Sequence, residues 1–390
     1  MKFEWKEVEL SEIADLTVGF VGTMTRHYTD EGVLFLRSTN IEPFNIKMDD
    51  IKYISPEFNE QIKKSELKTD DVVIVRTGKP GACTVIPPKG EPWNCSDLVV
   101  IHPNKEKVNP YYLAAYINLA SGVINANLVG AVQQHFNVGS AKKMKIQLPS
   151  LQIQNRIASI IQGLNKKIAL NNKINENLEQ QAQALFKAWF VDFIPFGRSV
   201  PKNWKNLSFS EFLTVSTEKS DDQELMLFSV TDTGIYPRNK KFKKNLSMQH
   251  AKNKVVRQTD LVFGMSRQIL NWGVMKYLIG AVSSAYNVYR VDSHINSLYL
   301  ESYIKSHIAY FKDLIKPASR EGQGIDKNAL MQKKLLLPPD DILNKYYDME
   351  NVFITLIENI RKENQCLEVI RDILLPKLMN DGINITNVDF

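Results

Sequence analysis

Between Pro149 and Phe193 the positions Ile153, Ile157, Ile160, Leu164, Lys167, Asn171, Ile174, Leu178, Gln181 and Leu185 step by alternating fours and threes. That spacing belongs to a coiled-coil seam, and a run whose only glycine is Gly163 can stay helical for about forty residues, roughly 60 Å at 1.5 Å per residue. Lys167, Asn171 and Gln181 interrupt the apolar stripe, so the helix needs a partner whose own seam accommodates polar groups. The chain supplies one. Ile342, Tyr346, Met349, Phe353, Leu356, Ile360, Glu363, Leu367, Ile370 and Leu374 repeat the same steps at a constant offset of 189 residues. The chain reads as a tandem duplication.

Other segments recur at offsets between 187 and 199 residues. Trp5–Gly19 is echoed by Trp204–Ser216, each a short extended stretch followed by a turn of helix. Val33–Ile41, VLFLRSTNI, reads as an apolar strand ending in a polar tip that carries Arg37 and Asn40. Leu67–Ile86 reads as turn, strand, glycine-bearing loop and strand, delivering Arg76, Thr77, Gly78 and Lys79; its counterpart, Val256–Tyr277, delivers Ser266, Arg267 and Gln268. Gly78-Lys79 lacks the upstream glycine and spacing of a phosphate-binding loop, and Pro80 stands where Ser or Thr would be. Asn109-Pro110-Tyr111 has one proline too few for a methyltransferase tetrapeptide, and reads as a helix cap with proline in the first turn. Asn296 stands at the matching place. Each half then closes with a polar loop and a strand. Gln134 and His135 lie in the first such loop, and Arg320 and Gln323 in or beside the second.

These patterns predict an α/β (α+β) chain with boundaries at 1–148, 149–194, 195–338 and 339–390: globular unit, long helix, second like unit, second long helix. If the helices pair antiparallel, an approximate two-fold axis crosses the coiled coil. The two heads then sit apart on a ruler, suited to reading two sites on one DNA duplex.

Charge and cysteines change the picture little. A formal net charge of +6 permits a polyanionic partner without requiring one, and Lys240 and Lys241 belong to the densest basic cluster, suited to phosphate contacts. Cys83, Cys95 and Cys366 lack metal-ligand spacing and form no disulfide framework, which favours a reducing, cytoplasmic setting. No stretch has the length and apolarity of a membrane span, and no metal site is expected.

The duplicated organisation, the LPSLQIQNRIASII opening and ALFKAWFVDF end of the first helix, the RTGKPG loop and the QQHFN-to-LP approach together resemble the specificity subunit of Type I restriction-modification systems. The resemblance implies two target-recognition domains, each reading half of a split DNA site, joined by helices that also dock two modification subunits and the restriction subunits. It also implies a non-catalytic chain, with S-adenosylmethionine, ATP and magnesium held by those partners. DNA contacts are then expected from Arg37, Asn40, Arg76, Thr77, Lys79, Gln134 and His135 in the first half. In the second half they are expected from Lys240, Lys241, Arg267, Gln268, Arg320 and Gln323. Aromatic residues crowd the end of the first helix on all sides, so Phe186, Trp189 and Phe190, with Leu378 and Met379 on the second, are expected to meet a modification subunit. A free-standing DNA-binding regulator and a coiled-coil scaffold without nucleic acid share parts of this pattern and stay open as alternatives.

Overall fold

The computed structural model describes residues 5–78, 80–122, 137–220, 225–238, 253–265, 269–315 and 325–380. The chain forms two compact units, one of residues 1–175 with 358–390 and the other of residues 176–357. The heads read from sequence each lie within one unit. The helices do not form modules of their own, because both cross the division.

In the first unit a four-stranded antiparallel sheet runs in the order Cys83–Val85, Val72–Val75, Leu98–Pro103, Ala14–Val18. Val72–Val75 is buried along its whole length, which is why it reads as an unbroken apolar run rather than an alternating one. A helix, Pro110–Ala120, packs against this sheet, its start capped by the Asn109 side chain accepting from the Tyr111 and Tyr112 N–H groups. A second, five-stranded sheet contains Val33–Leu36 beside Trp93–Cys95 in parallel. Lys6–Glu9 pairs antiparallel with Lys145–Leu148, immediately ahead of the first long helix. Buried Gln154 anchors that helix start, accepting from the Asn109 N–H at 2.8 Å and donating to the Pro149 carbonyl at 2.8 Å.

The second unit repeats this frame. Trp272–Val274, Leu261–Phe263, Asn287–Val291 and Leu213–Ser216 form a four-stranded sheet in the same order. Lys205–Ser208 pairs with Lys334–Leu337, and Asn296 caps the helix Ser297–Ser306. The two long helices, Leu151–Phe190 and Asp340–Met379, are each 40 residues long and keep the 189-residue offset at both ends.

Within the first unit the helices run antiparallel. Arg371 Nη1 donates to Asn165 Oδ1 at 3.1 Å, Lys167 lies 3.3 Å from Glu363, and Asn171 Nδ2 donates to Asn364 Oδ1 at 2.8 Å, so between positions 165 and 171 the partner moves back from 371 to 364. Asn171 also donates to Glu363, and Asn364 to Asn172. Of the polar seam positions expected from sequence, Lys167 and Asn171 both meet Glu363, leaving no bare polar group at Asn171, which is 1 % exposed, whereas Gln181 is exposed and donates to Asn177 of its own helix.

The aromatic end of the first helix differs from the sequence expectation. Phe186 and Phe190, each 1 % exposed, are core residues of the second unit. The Phe190 ring lies 4.8 Å from Tyr346, 5.1 Å from Tyr299 and 5.9 Å from Trp204, centroid to centroid. Their repeat equivalents, Leu375 and Met379, are buried in the core of the first unit with Leu378, against Ile153, Ile157 and Ile161. Neither phenylalanine, nor Leu378 or Met379, is available to a partner subunit, because these side chains complete the cores. Trp189 is half-buried, its ring 5.9 Å from Phe196 and 6.2 Å from Tyr346.

One buried carboxylate breaks the equivalence of the two cores. Glu350 stands 189 residues after buried Ile161 and is itself buried. Burial raises its carboxyl above the usual range by more than the Tyr346 hydroxyl, Lys305 and Lys276 lower it.

Two outcomes follow for stability. Phe190→Ala removes a ring from a closed aromatic cluster and is expected to cost about 3–5 kcal/mol, read as a lowered denaturant midpoint; an unchanged midpoint would return this ring to the surface. Glu350, with a folded-state pKa above its unfolded value, costs nothing at low pH and destabilises the second unit as pH rises above about 4.5. Glu350→Gln should therefore raise the unfolding temperature at pH 8 and leave it nearly unchanged at pH 4.5, as followed by calorimetry.

Candidate nucleic-acid interface

Strand register gathers the first unit's polar segments at one edge. Val18 faces Val99, Val75 faces Leu98, and the Ser96 N–H donates to the Leu36 carbonyl at 3.0 Å, so three strands end beside residues 96–99. Arg37 follows the strand ending at Leu36, and Arg76 follows the one ending at Val75. Two basic residues far apart in sequence are thus delivered to the same edge by buried apolar strands.

The loop after Val75 turns tightly, with the Gly81 N–H donating to the Val75 carbonyl at 3.0 Å. Gly78 has φ +88° and open space around it, so it is the backbone conformation rather than crowding that calls for glycine there. Arg76 Nη1 lies 3.7 Å from Asp97 Oδ1, and the Thr77 hydroxyl donates to the other oxygen of the same carboxylate. The Arg76 side chain is 28 % exposed and that of Asp97 41 %, so this cluster faces solvent and retains donors for an external acceptor.

Arg37 and Asn40 are held differently. Arg37 Nη2 donates to Asp50 Oδ2 at 3.0 Å and to the Asp50 carbonyl, while its Nε donates to Asn40 Oδ1 at 3.3 Å. Asn40 is 1 % exposed, and its amide donates to the carbonyls of Lys47 at 3.2 Å and Asp49 at 3.3 Å. Hydrogen bonds from Lys52 and Arg37 hold the Asp50 carboxyl below its usual range. This network closes the loop that follows Ile41. Asn40 satisfies carbonyls inside that loop and has no face left for a base edge, contrary to the expectation from sequence.

In the second unit the corresponding loop is tied at its base, where the Gly264 N–H donates to the Asn271 carbonyl at 2.8 Å and Asn271 Nδ2 donates to the Met265 carbonyl at 2.6 Å. Arg267 and Gln268 lie outside the described residues, as do Lys79, Gln134, His135, Lys240, Lys241, Arg320 and Gln323. Sequence reasoning missed Asp97 and Asp50. Each is an aspartate with positive φ, 55° and 51°, and only the turn conformation that Asp tolerates could have marked them. Among the described residues no group of side chains could hold a metal ion, and no helix is long and apolar enough to cross a membrane.

If Asn40 is structural, Asn40→Ala leaves its carbonyl partners bare and should cost about 1–3 kcal/mol of stability, measured by chemical denaturation. A variant of native stability would restore Asn40 to the list of groups free to touch a ligand.

Residues 3–180 match the family described as Type I restriction modification DNA specificity domain. The chain is 24 % identical over 266 residues to the type I restriction enzyme MjaIX specificity subunit of Methanocaldococcus jannaschii, covering 61 % of this chain and 60 % of that protein. It is 38 % identical over 105 residues to the HindI specificity subunit of Haemophilus influenzae, covering 25 % of this chain and 22 % of that one. A solved structure bearing on complex assembly and conformational transition of the type I R-M system contains a chain with TM-score 0.50 and 15 % identity, covering 98 % of this chain and 100 % of that one. At that identity the likeness establishes the shared two-unit fold. The family match covers residues 3–180, somewhat under half of the chain, and the chain spans 60 % of the length of the Methanocaldococcus jannaschii subunit it matches.

Proposed function

We propose that this chain is the DNA-recognition subunit of a type I restriction-modification complex. One unit reads each half of a bipartite, asymmetric DNA site. The observation that carries the reading is one buried frame used twice with different chemistry at the loop edge: Arg76, Thr77 and Asp97 in the first unit, and a loop bounded by Met265 and Ile269 in the second. A repeated frame with divergent edges suits two different half-sites, whereas identical edges would suit a palindrome.

The chain's own part is binding. Arg76 offers a guanidinium to a base edge in the major groove, where a fork of donors matches the paired acceptors of guanine. Lysines near the loops supply contacts to phosphate, which position the duplex without reading it. The chain is not itself an enzyme in this reading. Methylation and ATP-dependent cleavage belong to modification and restriction subunits, with S-adenosylmethionine, ATP and magnesium held by them, and two modification subunits per chain follow from the repeat.

A titration tests the proposal. The purified chain, alone and assembled with modification subunits, is titrated against random and selected duplexes. Selected duplexes should bind at least a thousandfold more tightly at physiological salt, on the order of specific DNA recognition. Arg76→Ala should lose about 1–3 kcal/mol of that discrimination at one half-site, and Arg267→Ala the same at the other. Equal affinity for every duplex would leave a scaffold that does not read DNA, and recognition by the lone chain without any partner would favour a free-standing regulator.

A further inference from the structure

Asp97 sits between the strand ends that deliver Arg37 and Arg76. It follows Ser96, which is bonded to Leu36, and precedes Leu98, which faces Val75. One carboxylate oxygen lies 3.7 Å from Arg76 Nη1, and the other accepts from the Thr77 hydroxyl. The φ of 55° turns the backbone sharply at this residue, out of line with the strand that follows.

We infer that Asp97 is a specificity-determining positioning residue: it aims Arg76 and Thr77 at a base edge and discourages phosphate from taking their place. The inference rests on the reading of the first unit as a DNA-reading module. Two physical effects support it. At 3.7 Å the Asp97 carboxylate attracts the guanidinium without a hydrogen bond, which narrows where the flexible Arg76 stem places its charge and leaves all its donors for an external acceptor. The Arg76–Asp97 pair also carries no net charge, so a phosphate approaching Arg76 meets a carboxylate beside it, while the neutral acceptors of a guanine edge meet little opposition. The Thr77 hydroxyl hydrogen is committed to Asp97, so Thr77 presents lone pairs outward, suited to an amino group of adenine or cytosine.

The second unit provides an internal comparison. Val99 faces Ile74 in the first sheet and Asn287 faces Phe263 in the second, so the residue two places earlier, Asp97, corresponds to Ala285. The second unit has no carboxylate at this position.

Asp97→Asn isolates the charge, because asparagine tolerates the same left-handed backbone and keeps an acceptor oxygen. The variant and the parent, each assembled with modification subunits, are exposed to a pool of randomised duplexes at two salt concentrations, with Arg76→Ala alongside. Base preference should fall about tenfold at one or two positions of a single half-site, the same positions that Arg76→Ala relaxes. Affinity for unselected duplex should rise and its salt dependence steepen, with the slope growing by about one. The half-site read by the second unit should keep its preference. Unchanged preference and unchanged random-duplex affinity in the variant overturn the role of Asp97 while leaving the first unit a DNA reader. Loss of preference at both half-sites overturns it too, since that marks a damaged fold. A parent with no base preference overturns the DNA-reading module and this role together.

Discussion

Each unit completes its core with the end of a long helix that begins in the other repeat, and the first does so with a distant piece of chain. The first needs Leu375, Leu378 and Met379 from the end of the second long helix, and the second needs Phe186 and Phe190 from the end of the first. The repeat offset makes these ends equivalent: Phe186 corresponds to Leu375 and Phe190 to Met379. Each long helix therefore begins in the core of its own repeat and ends in the core of the other. Burying one such side chain is worth roughly 1.5–3 kcal/mol, so several together rival the net stability of an ordinary domain. The first unit cannot finish folding until the last helix exists, and its closure joins residues some two hundred positions apart, a long-range contact of the kind that slows folding.

Apolar burial holds the helices but does not by itself fix which turn meets which. The buried Asn171 and Asn364, with exposed Asn172, Glu363 and Lys167 at their margin, supply that information within the first unit. A one-turn slip would leave these amides without partners in a place water does not reach, and an unsatisfied buried polar group costs about 1–3 kcal/mol. The seam gives up adhesive strength at these positions and gains a single register, the role polar residues play in coiled-coil seams.

Periodicity and repetition made the frame legible. The fours and threes, the 189-residue offset, the apolar run at Val72–Val75 and the caps at Asn109 and Asn296 are local patterns whose physical causes lie within a few turns of chain. The environment of the helix ends was not legible. Aromatics on every side of Phe186–Phe190 show that something covers them, and a partner subunit and an intrachain core leave the same mark on sequence. Asn40 misled for a related reason: a polar tip after a strand reads as solvent-facing, yet carbonyls of the following loop needed donors and drew it inward. Asp97 left no pattern at all. Its relation to Arg76 arises only when Leu98 pairs with Val75, a register set by tertiary packing.

The two units show why a duplicated frame can diverge at its edges. Strands such as Val72–Val75 and Leu261–Phe263 are buried along their whole length, so a change there is felt by every neighbour in a close-packed core. The residues just beyond those strands contact only a few groups at the same edge. Ala285 can stand where Asp97 stands, because at 41 % exposure that carboxylate supports Arg76 and Thr77 rather than the core. The core also tolerates change where polar groups find partners: Glu301, largely buried in the second unit, meets Lys305 at 2.7 Å and Lys276 at 3.5 Å. Edge chemistry is thus separable from frame stability. Under the proposed function, a new half-site specificity requires substitutions only where the chain is free to accept them, while the buried helices and sheets that position each edge stay under the constraint of close packing.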